Sequence, residues 1–517
     1  MKILLSMKYL TLPVNTKTVS KKVCLFENGR LIFDFDCKID MIEPDFTAYV
    51  DVSRFEGRTV DIIVDPEMRF EVGLADSMNL PQLYNEPLRP QVHFTVMNGW
   101  NNDPNGLIQY DGIYHMFYQY NPCAAEWGNM HWGHAVSRDL LHWEHKDIAL
   151  FPDETGTMYS GSAIEDTENL TGLGKGAMLL YYTAAGEKNL MSQNKKRTQC
   201  LAYSIDGGET FHKYSGNPVI GHIEAYNRDP KVVYVEELKK HLMIIYLNDD
   251  RYQMLTSDDL IHWTPFQEIV LRSDSECPDI YQLNCNGRRL WVISGASDIY
   301  VIGYFKKDAF IIENAEKKLT YSKISYAAQS FSGTKDGRVI RIAWDKLRIP
   351  SASFASQMGF PTEMHLEEVQ QRYYLAQQPV REIKELYTDR KKIENIKLTG
   401  RMKFDVGANP LDILVSARYI TGSKLKLSIF GHELICDMEM NQILFRDIKM
   451  PVSMQQDKLD LRIIVDRCSI EVFADGGKFC FTAMMICDYN LPRIEISGTD
   501  GYNVDKFEYH ILKSIYE

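Results

Sequence analysis

Runs in which apolar and polar residues alternate recur from one end of this chain to the other, and a period of two predicts strands rather than helices. Val23-Cys24-Leu25-Phe26 and Leu31-Ile32-Phe33-Asp34-Phe35 flank Glu27-Asn28-Gly29-Arg30. Asn-Gly between two such runs is a strong hairpin signal. Tyr49-Val50-Asp51-Val52 and Thr59-Val60-Asp61-Ile62-Ile63-Val64 add two more strands before the proline-containing run Glu86-Pro87-Leu88-Arg89-Pro90. Residues 1–88 therefore read as a small N-terminal β module. Towards the other end, Leu459, Leu461, Ile463 and Val465 share one face, and Ser469-Ile470-Glu471-Val472-Phe473 and Arg493-Ile494-Glu495-Ile496 continue the pattern around an Asp475-Gly476-Gly477 turn. Residues 386–517 are predicted to form a β-sandwich. The one helix expected is a brief one at the junction, from Ile383 to Tyr387.

The middle of the chain, residues 89–385, repeats itself. Ser137-Arg138-Asp139-Leu140-Leu141-His142-Trp143 recurs as Ser257-Asp258-Asp259-Leu260-Ile261-His262-Trp263, with a looser copy at Ser204-Ile205-Asp206-Gly207-Gly208-Glu209-Thr210-Phe211. Each copy follows a strand-like run and puts Asp at a turn with an aromatic residue beyond it. Repeats of this kind in an all-β sequence predict propeller blades of about four strands. At about 50–60 residues per blade, the stretch from His93 to Pro379 holds about five. Blades are expected to begin at the innermost strand, beside the central channel. Candidate starts are Asp103-Pro104, Ser160-Gly161-Ser162, Asp229-Pro230, Glu276-Cys277-Pro278 and Tyr326-Ala327-Ala328-Gln329. Three of these starts are acidic. A closed ring would bring the three carboxylates to one end of the channel, where mutual repulsion raises the pKa of one of them.

Composition narrows the partners. The net charge of −12 disfavours nucleic acid and anionic membrane surfaces. The 7 Trp and 29 Tyr suit stacking on ring-shaped polar ligands. The 10 cysteines are scattered, with no Cys-x-x-Cys pair or Cys/His cluster, so no metal or cofactor is signalled. They read as free thiols of a reducing compartment. No stretch resembles a secretory signal or a membrane span, and a cytoplasmic protein is expected.

The chemistry is concentrated at Trp100-Asn101-Asn102-Asp103-Pro104-Asn105-Gly106, where Asp-Pro and Asn-Gly hold a carboxylate at a tight turn. This stretch resembles the Trp-x-Asn-Asp-Pro-Asn-Gly signature of glycoside hydrolase family 32, the invertases, inulinases and levanases. Asn227-Arg228-Asp229-Pro230 resembles that family's Arg-Asp-Pro motif, and Ser275-Glu276-Cys277-Pro278 its Glu-Cys motif. Tyr118-Gln119-Tyr120-Asn121-Pro122, Trp127-Gly128-Asn129-Met130-His131-Trp132-Gly133-His134, Tyr159-Ser160-Gly161-Ser162-Ala163, Tyr326-Ala327-Ala328-Gln329 and the segment from Val465 to Phe473 also match, in the family's order. Asn101 departs from the motif, which often has an apolar residue there, and is expected to alter the pocket rim.

The resemblance implies a five-bladed β-propeller followed by a C-terminal β-sandwich, and hydrolysis of β-fructofuranosides with retention. It makes Asp103 the nucleophile, Glu276 the general acid/base and Asp229 the transition-state stabiliser. Asn102, Gln119, Trp127, Ser160 and Arg228 fall on positions that line the fructose pocket in such enzymes. Arg228 is expected to hold Asp229 ionised, and crowding by Asp103 and Asp229 is expected to keep Glu276 protonated. Cys277 either desolvates the acid or fills the core. Trp100 and Trp127 are candidate sugar platforms, whereas Trp143 and Trp263 read as blade packing. His134, His142 and His262 read as structural. The runs Lys195-Lys196-Arg197 and Arg390-Lys391-Lys392 read as solvated loops. A fructosyltransferase, an inverting hydrolase of related propellers and a non-catalytic fructan-binding protein are the competing readings.

Overall fold

The computed structural model describes the whole chain apart from residues 225, 351, 399, 419–423, 454–457, 492 and 499–501. It is all-β, and the helical segments among the described residues are 3-10 turns of three to six residues. The helix expected near Ile383 is one of these, Arg381–Leu386.

The N-terminal strands form a four-stranded and a three-stranded sheet over one apolar core that includes Leu10, Val23, Phe33, Val50 and Ile62. Lys21–Glu27 and Arg30–Cys37 are the expected hairpin, with Asn28 and Gly29 both at positive φ (50° and 80°). That conformation is what a two-residue Asn-Gly turn requires. In Thr59–Asp65 burial alternates strictly, with Val60, Ile62 and Val64 inward.

Five antiparallel meanders of four strands follow. Their first strands are Gly99–Tyr110, Thr157–Asp166, Arg228–Val235, Asp279–Cys285 and Ser325–Ser330. These first strands pack side by side in order, and the fifth returns to the first. The Gln329 side chain fastens that junction. It accepts from Leu107 N at 3.1 Å and donates to Gly161 O at 3.0 Å. Lys231, fully buried, donates to Ser330 O and pairs with Asp279 at 3.2 Å, so the centre is filled by a satisfied polar network.

The Ser-x-Asp repeat has a simple cause. In each copy the aspartate accepts backbone N–H groups two to four residues on, closing the turn between the third and fourth strands of its meander. Asp139 takes Leu141 N and His142 N, Asp206 takes Thr210 N, and Asp259 takes Ile261 N and His262 N, all at 2.8–3.0 Å. Such side-chain-to-backbone bonds are the reason Asp favours turns.

From Tyr387 onward the chain builds two six-stranded sheets around one shared core, with Ile413, Leu427, Ile463, Val472 and Phe507 at its centre. A buried ion network ties these sheets to the segment that leads into the first meander. Asp466 accepts from Gln91 N and Val92 N at 2.9 Å, and His93 lies between Asp466 and Glu471, 2.8 Å from each. Burial opposes a charge on His93, but the two carboxylates outweigh it and push its pKa up to about 10. Asp345, nearby, is pushed upward by its own burial and by Glu471.

A histidine raised in the folded state adds stability below its unfolded value of 6.5, and that contribution is lost as pH climbs towards 10. The raised Asp345 acts in the same direction. His93→Gln is expected to cost about 3–5 kcal/mol near pH 6, as removal of one member of a buried ion network does. It should also flatten the decline in stability between pH 6.5 and 10. Denaturant unfolding across that range checks this, and an unchanged slope in the variant would refute it.

Candidate active site

The chain reaches the site through a repeated backbone device. In four of the five meanders the first strand slips register at or beside a residue that lines the cavity. The slips fall between Asn101 and Pro104, Tyr159 and Gly161, Arg228 and Lys231, and Tyr326 and Gln329. A bulge re-aims a side chain that a regular strand would turn away. In the fourth meander Glu276 and Cys277 lie just before the strand, at φ 60° and 35°, and Asp229 is also left-handed at 63°. Non-glycine residues in this region store strain, which a rigid scaffold tolerates where a side chain must point one way. Gly161 is required by close approach, since a Cβ there would lie 1.9 Å from Tyr181 O.

These devices bring all eight sequence-predicted residues to one open cavity of about 340 Å³. Asn102, Asp103, Gln119, Trp127, Ser160, Arg228, Asp229 and Glu276 all line it. Two larger clefts, of about 540 and 550 Å³, lie elsewhere on the first three meanders and contain none of these acids.

Asp103 accepts from Ser160 Oγ at 2.6 Å. Asp229 is buried and takes Cys277 N at 3.0 Å, while its own N–H donates to Thr183 Oγ1. Cys277 Sγ stands between the two acids, 3.4 Å from Asp103 Oδ2 and 3.5 Å from Asp229 Oδ2. Burial and the surrounding carboxylates keep this thiol protonated, so it serves both acids as a weak donor. Glu276, 35% exposed, stands nearer the mouth. It accepts from Tyr326 Oη at 2.8 Å and pairs with Arg228 Nη2. The Arg228 guanidinium spans two acids, because its Nε is also 3.5 Å from Asp229. The sequence reading has it hold Asp229 ionised and bond sugar hydroxyls; its pairing with Glu276 is an addition.

Burial raises the Asp103 pKa, with Glu276 adding to the shift, and raises Asp229 to about 6 with help from Asp103 and Glu276. In both acids desolvation is the larger cause, ahead of repulsion between neighbours.

Three sequence readings change. Trp100 is buried outside the cavity lining, edge-on to Trp344, and donates from Nε1 to Asn102 Oδ1 at 2.9 Å. It orients Asn102 rather than presenting a face to sugar. Asn101 is fully buried with neither amide atom partnered, so it does not reach the rim. Arg197, read as part of a solvated run, lines the cavity, while Lys195 and Lys196 are exposed as expected. Trp127, read as a platform, lines the cavity at 52% exposure and stands edge-on to Tyr159. Sequence reasoning also passed over Tyr159, Trp344 and Lys346, which complete the lining. Tyr159 and Tyr326 stand inside quoted motifs and were legible there. Lys346, whose Nζ lies 3.5 Å from the Tyr326 ring centroid, carries no such signal.

Comparison with known proteins agrees with this geometry. The model of the glycosyl hydrolases family 32 N-terminal domain matches residues 93–379, and that of the family 32 C-terminal region matches residues 437–510. A levanase of Bacillus subtilis (strain 168) is 32% identical over 508 residues, covering 87% of this chain and 73% of that enzyme. An extracellular exo-inulinase of Aspergillus awamori is 27% identical, covering 82% of this chain and 94% of that one. The crystal structure of exo-inulinase from the same organism superposes with a TM-score of 0.75 at 25% identity, over 85% of this chain and 100% of that one.

Proposed function

The chain belongs to glycosyl hydrolase family 32 and is a glycoside hydrolase of the β-fructofuranosidase type; from that premise we propose that it removes terminal fructose from fructans and fructo-oligosaccharides, and from sucrose, with retention. The observation that carries this reading is the convergence of three carboxylates from separate meanders on one open cavity. The five meanders are taken as blades of a five-bladed propeller, supported by the side-by-side packing of their first strands. The two six-stranded sheets are the C-terminal sandwich. Domain boundaries at about residues 88 and 385 are part of this reading, supported by the change of sheet near each. The 10 free thiols support a cytoplasmic location.

Asp103 attacks the anomeric carbon of fructose as Glu276 passes a proton to the departing oxygen, so the leaving sugar exits neutral and a fructosyl ester forms on Asp103. Glu276, now a carboxylate, takes a proton from water, whose oxygen attacks the same carbon and releases fructose with its configuration kept. Positive charge builds on the ring in both steps, and the ionised Asp229 and Asp103 stabilise it in a site with little water to screen them. Ser160 and the Cys277 thiol hold the Asp103 carboxylate in place.

Incubation with levan, inulin, 1-kestose and sucrose tests the reading, with released fructose as the measure. No release from any of the four would overturn it, and proton NMR of the first-formed anomer tests retention. A pH dependence follows from the raised acids. Asp103 and Asp229 must be ionised, and Asp229 titrates at about 6. The value of kcat/KM should therefore fall as pH drops below about 6, in a limb that belongs to the coupled pair. A limb near the ordinary carboxylate range, at about 4, would contradict it.

A further inference from the structure

Arg197 stands out once the catalytic cavity is accounted for. Its guanidinium lies between two aromatic rings, 5.7 Å from the Tyr159 centroid and 5.3 Å from the Tyr226 centroid. Its Nη1 is buried without a hydrogen-bond partner. A buried donor left unpaired costs about 1–3 kcal/mol. Because Arg197 lines the open cavity, a ligand bound there can supply the missing acceptor. The two rings hold the guanidinium plane, so little conformational freedom is lost when it binds.

The position of this arginine identifies the part of the substrate it meets. Asp103 and Asp229 form the floor, and Glu276, the proton donor to the leaving oxygen, stands towards the mouth. Arg228 links that mouth to the Arg197 group, donating from Nη1 to Tyr226 O at 2.8 Å and from Nη2 to Glu276. Tyr226 is itself 50% exposed. Arg197 lines the same cavity as the proton donor, and its Tyr226 neighbour is tied to that donor through Arg228, which puts the guanidinium on the side where the leaving group emerges, away from the fructose on the floor. The three carboxylates of the cavity are matched by Arg197, Arg228 and Lys346, so no excess of positive charge calls for an anionic leaving group. Neutral hydroxyls on adjacent carbons fit the fork of guanidinium donors.

We propose that Arg197, held by Tyr159 and Tyr226, forms the subsite that binds the first sugar on the leaving side and so sets the preference among leaving groups. This rests on the fructosidase reading above and adds a residue that selects substrate.

The test compares kcat and KM of the wild type, Arg197→Ala and Tyr226→Ala on methyl β-D-fructofuranoside, sucrose and 1-kestose. The methyl leaving group does not reach Arg197, whereas glucose and the kestose disaccharide do. Arg197→Ala should lose about 10- to 100-fold in kcat/KM on sucrose and 1-kestose, mostly through KM, and less than about threefold on the methyl fructoside. Tyr226→Ala should show the same pattern with a smaller loss. An equal loss on all three substrates would overturn the proposal, since it would place Arg197 on the fructose side or in support of the fold. No loss on any would overturn it as well. A wild type inactive on all three would remove the fructosidase reading and this inference together, a result distinct from either of the others.

Discussion

Asp103→Asn lowers kcat for fructose release by at least about 10⁴-fold, beyond what loss of proton transfer alone removes, because a carboxamide cannot form the fructosyl ester. The substitution is nearly isosteric, so the site should persist. Asn can still accept from Ser160 Oγ, which lies 2.6 Å from the native carboxylate. The fold should gain rather than suffer. Burial raises the Asp103 pKa above its ordinary 3.8, so at neutral pH the ionised carboxylate costs the folded state free energy. The variant is expected to be more stable than the wild type at pH 7, with the gain shrinking as pH falls and gone below 3.8, where the native carboxyl is protonated in both states. An inactive variant with a raised Tm at pH 7 meets the expectation. Activity within tenfold of wild type would remove Asp103 as nucleophile, and an inactive variant that is also unfolded would leave the loss to structure, against the stability argument.

Glu276→Gln should separate substrates by their leaving groups. On sucrose or 1-kestose, whose alkoxide leaves poorly, the loss should be about 10²–10⁴-fold, the range for a positioned general acid. An aryl fructoside with a nitrophenolate leaving group needs no proton to depart, so its first step should be nearly spared. The second step still lacks a base, and the fructosyl-enzyme should accumulate as a burst of nitrophenolate followed by slow turnover. Stopped-flow absorbance measures the burst. Equal loss on both substrate types, with no burst, would mean that Glu276 supports the site without moving the proton. The loss of its contacts to Tyr326 Oη and Arg228 would then be the cause.

These outcomes depend on residues of unequal visibility in the sequence. The three acids were legible because each is followed by proline within two residues in a short motif, a local pattern that one chain shows directly. The meanders were legible through the Ser-x-Asp repeat, whose side-chain-to-backbone bonds are local as well. Arg197 was not. In a run with two other cations it looks like solvated surface, and only the placement of Tyr159 and Tyr226 around it makes it part of the cavity. Trp100 failed in the opposite way, since a tryptophan beside a catalytic turn invites a platform role, yet its ring packs edge-on to Trp344, 244 positions further along the chain.

By itself the sequence determined the all-β character, the hairpin at Asn28-Gly29, the repeat, the family and the eight residues of the pocket, because period, turn chemistry and motif order are properties of neighbouring residues. The tertiary structure decided what depends on approach between distant segments. It set which acids are desolvated, so that the raised pKa values fall on Asp103 and Asp229. It also set that Arg228 spans two acids, and that His93 is held charged between Asp466 and Glu471. Burial and charge pairing act through space, and no local pattern along the chain encodes the distances that govern them.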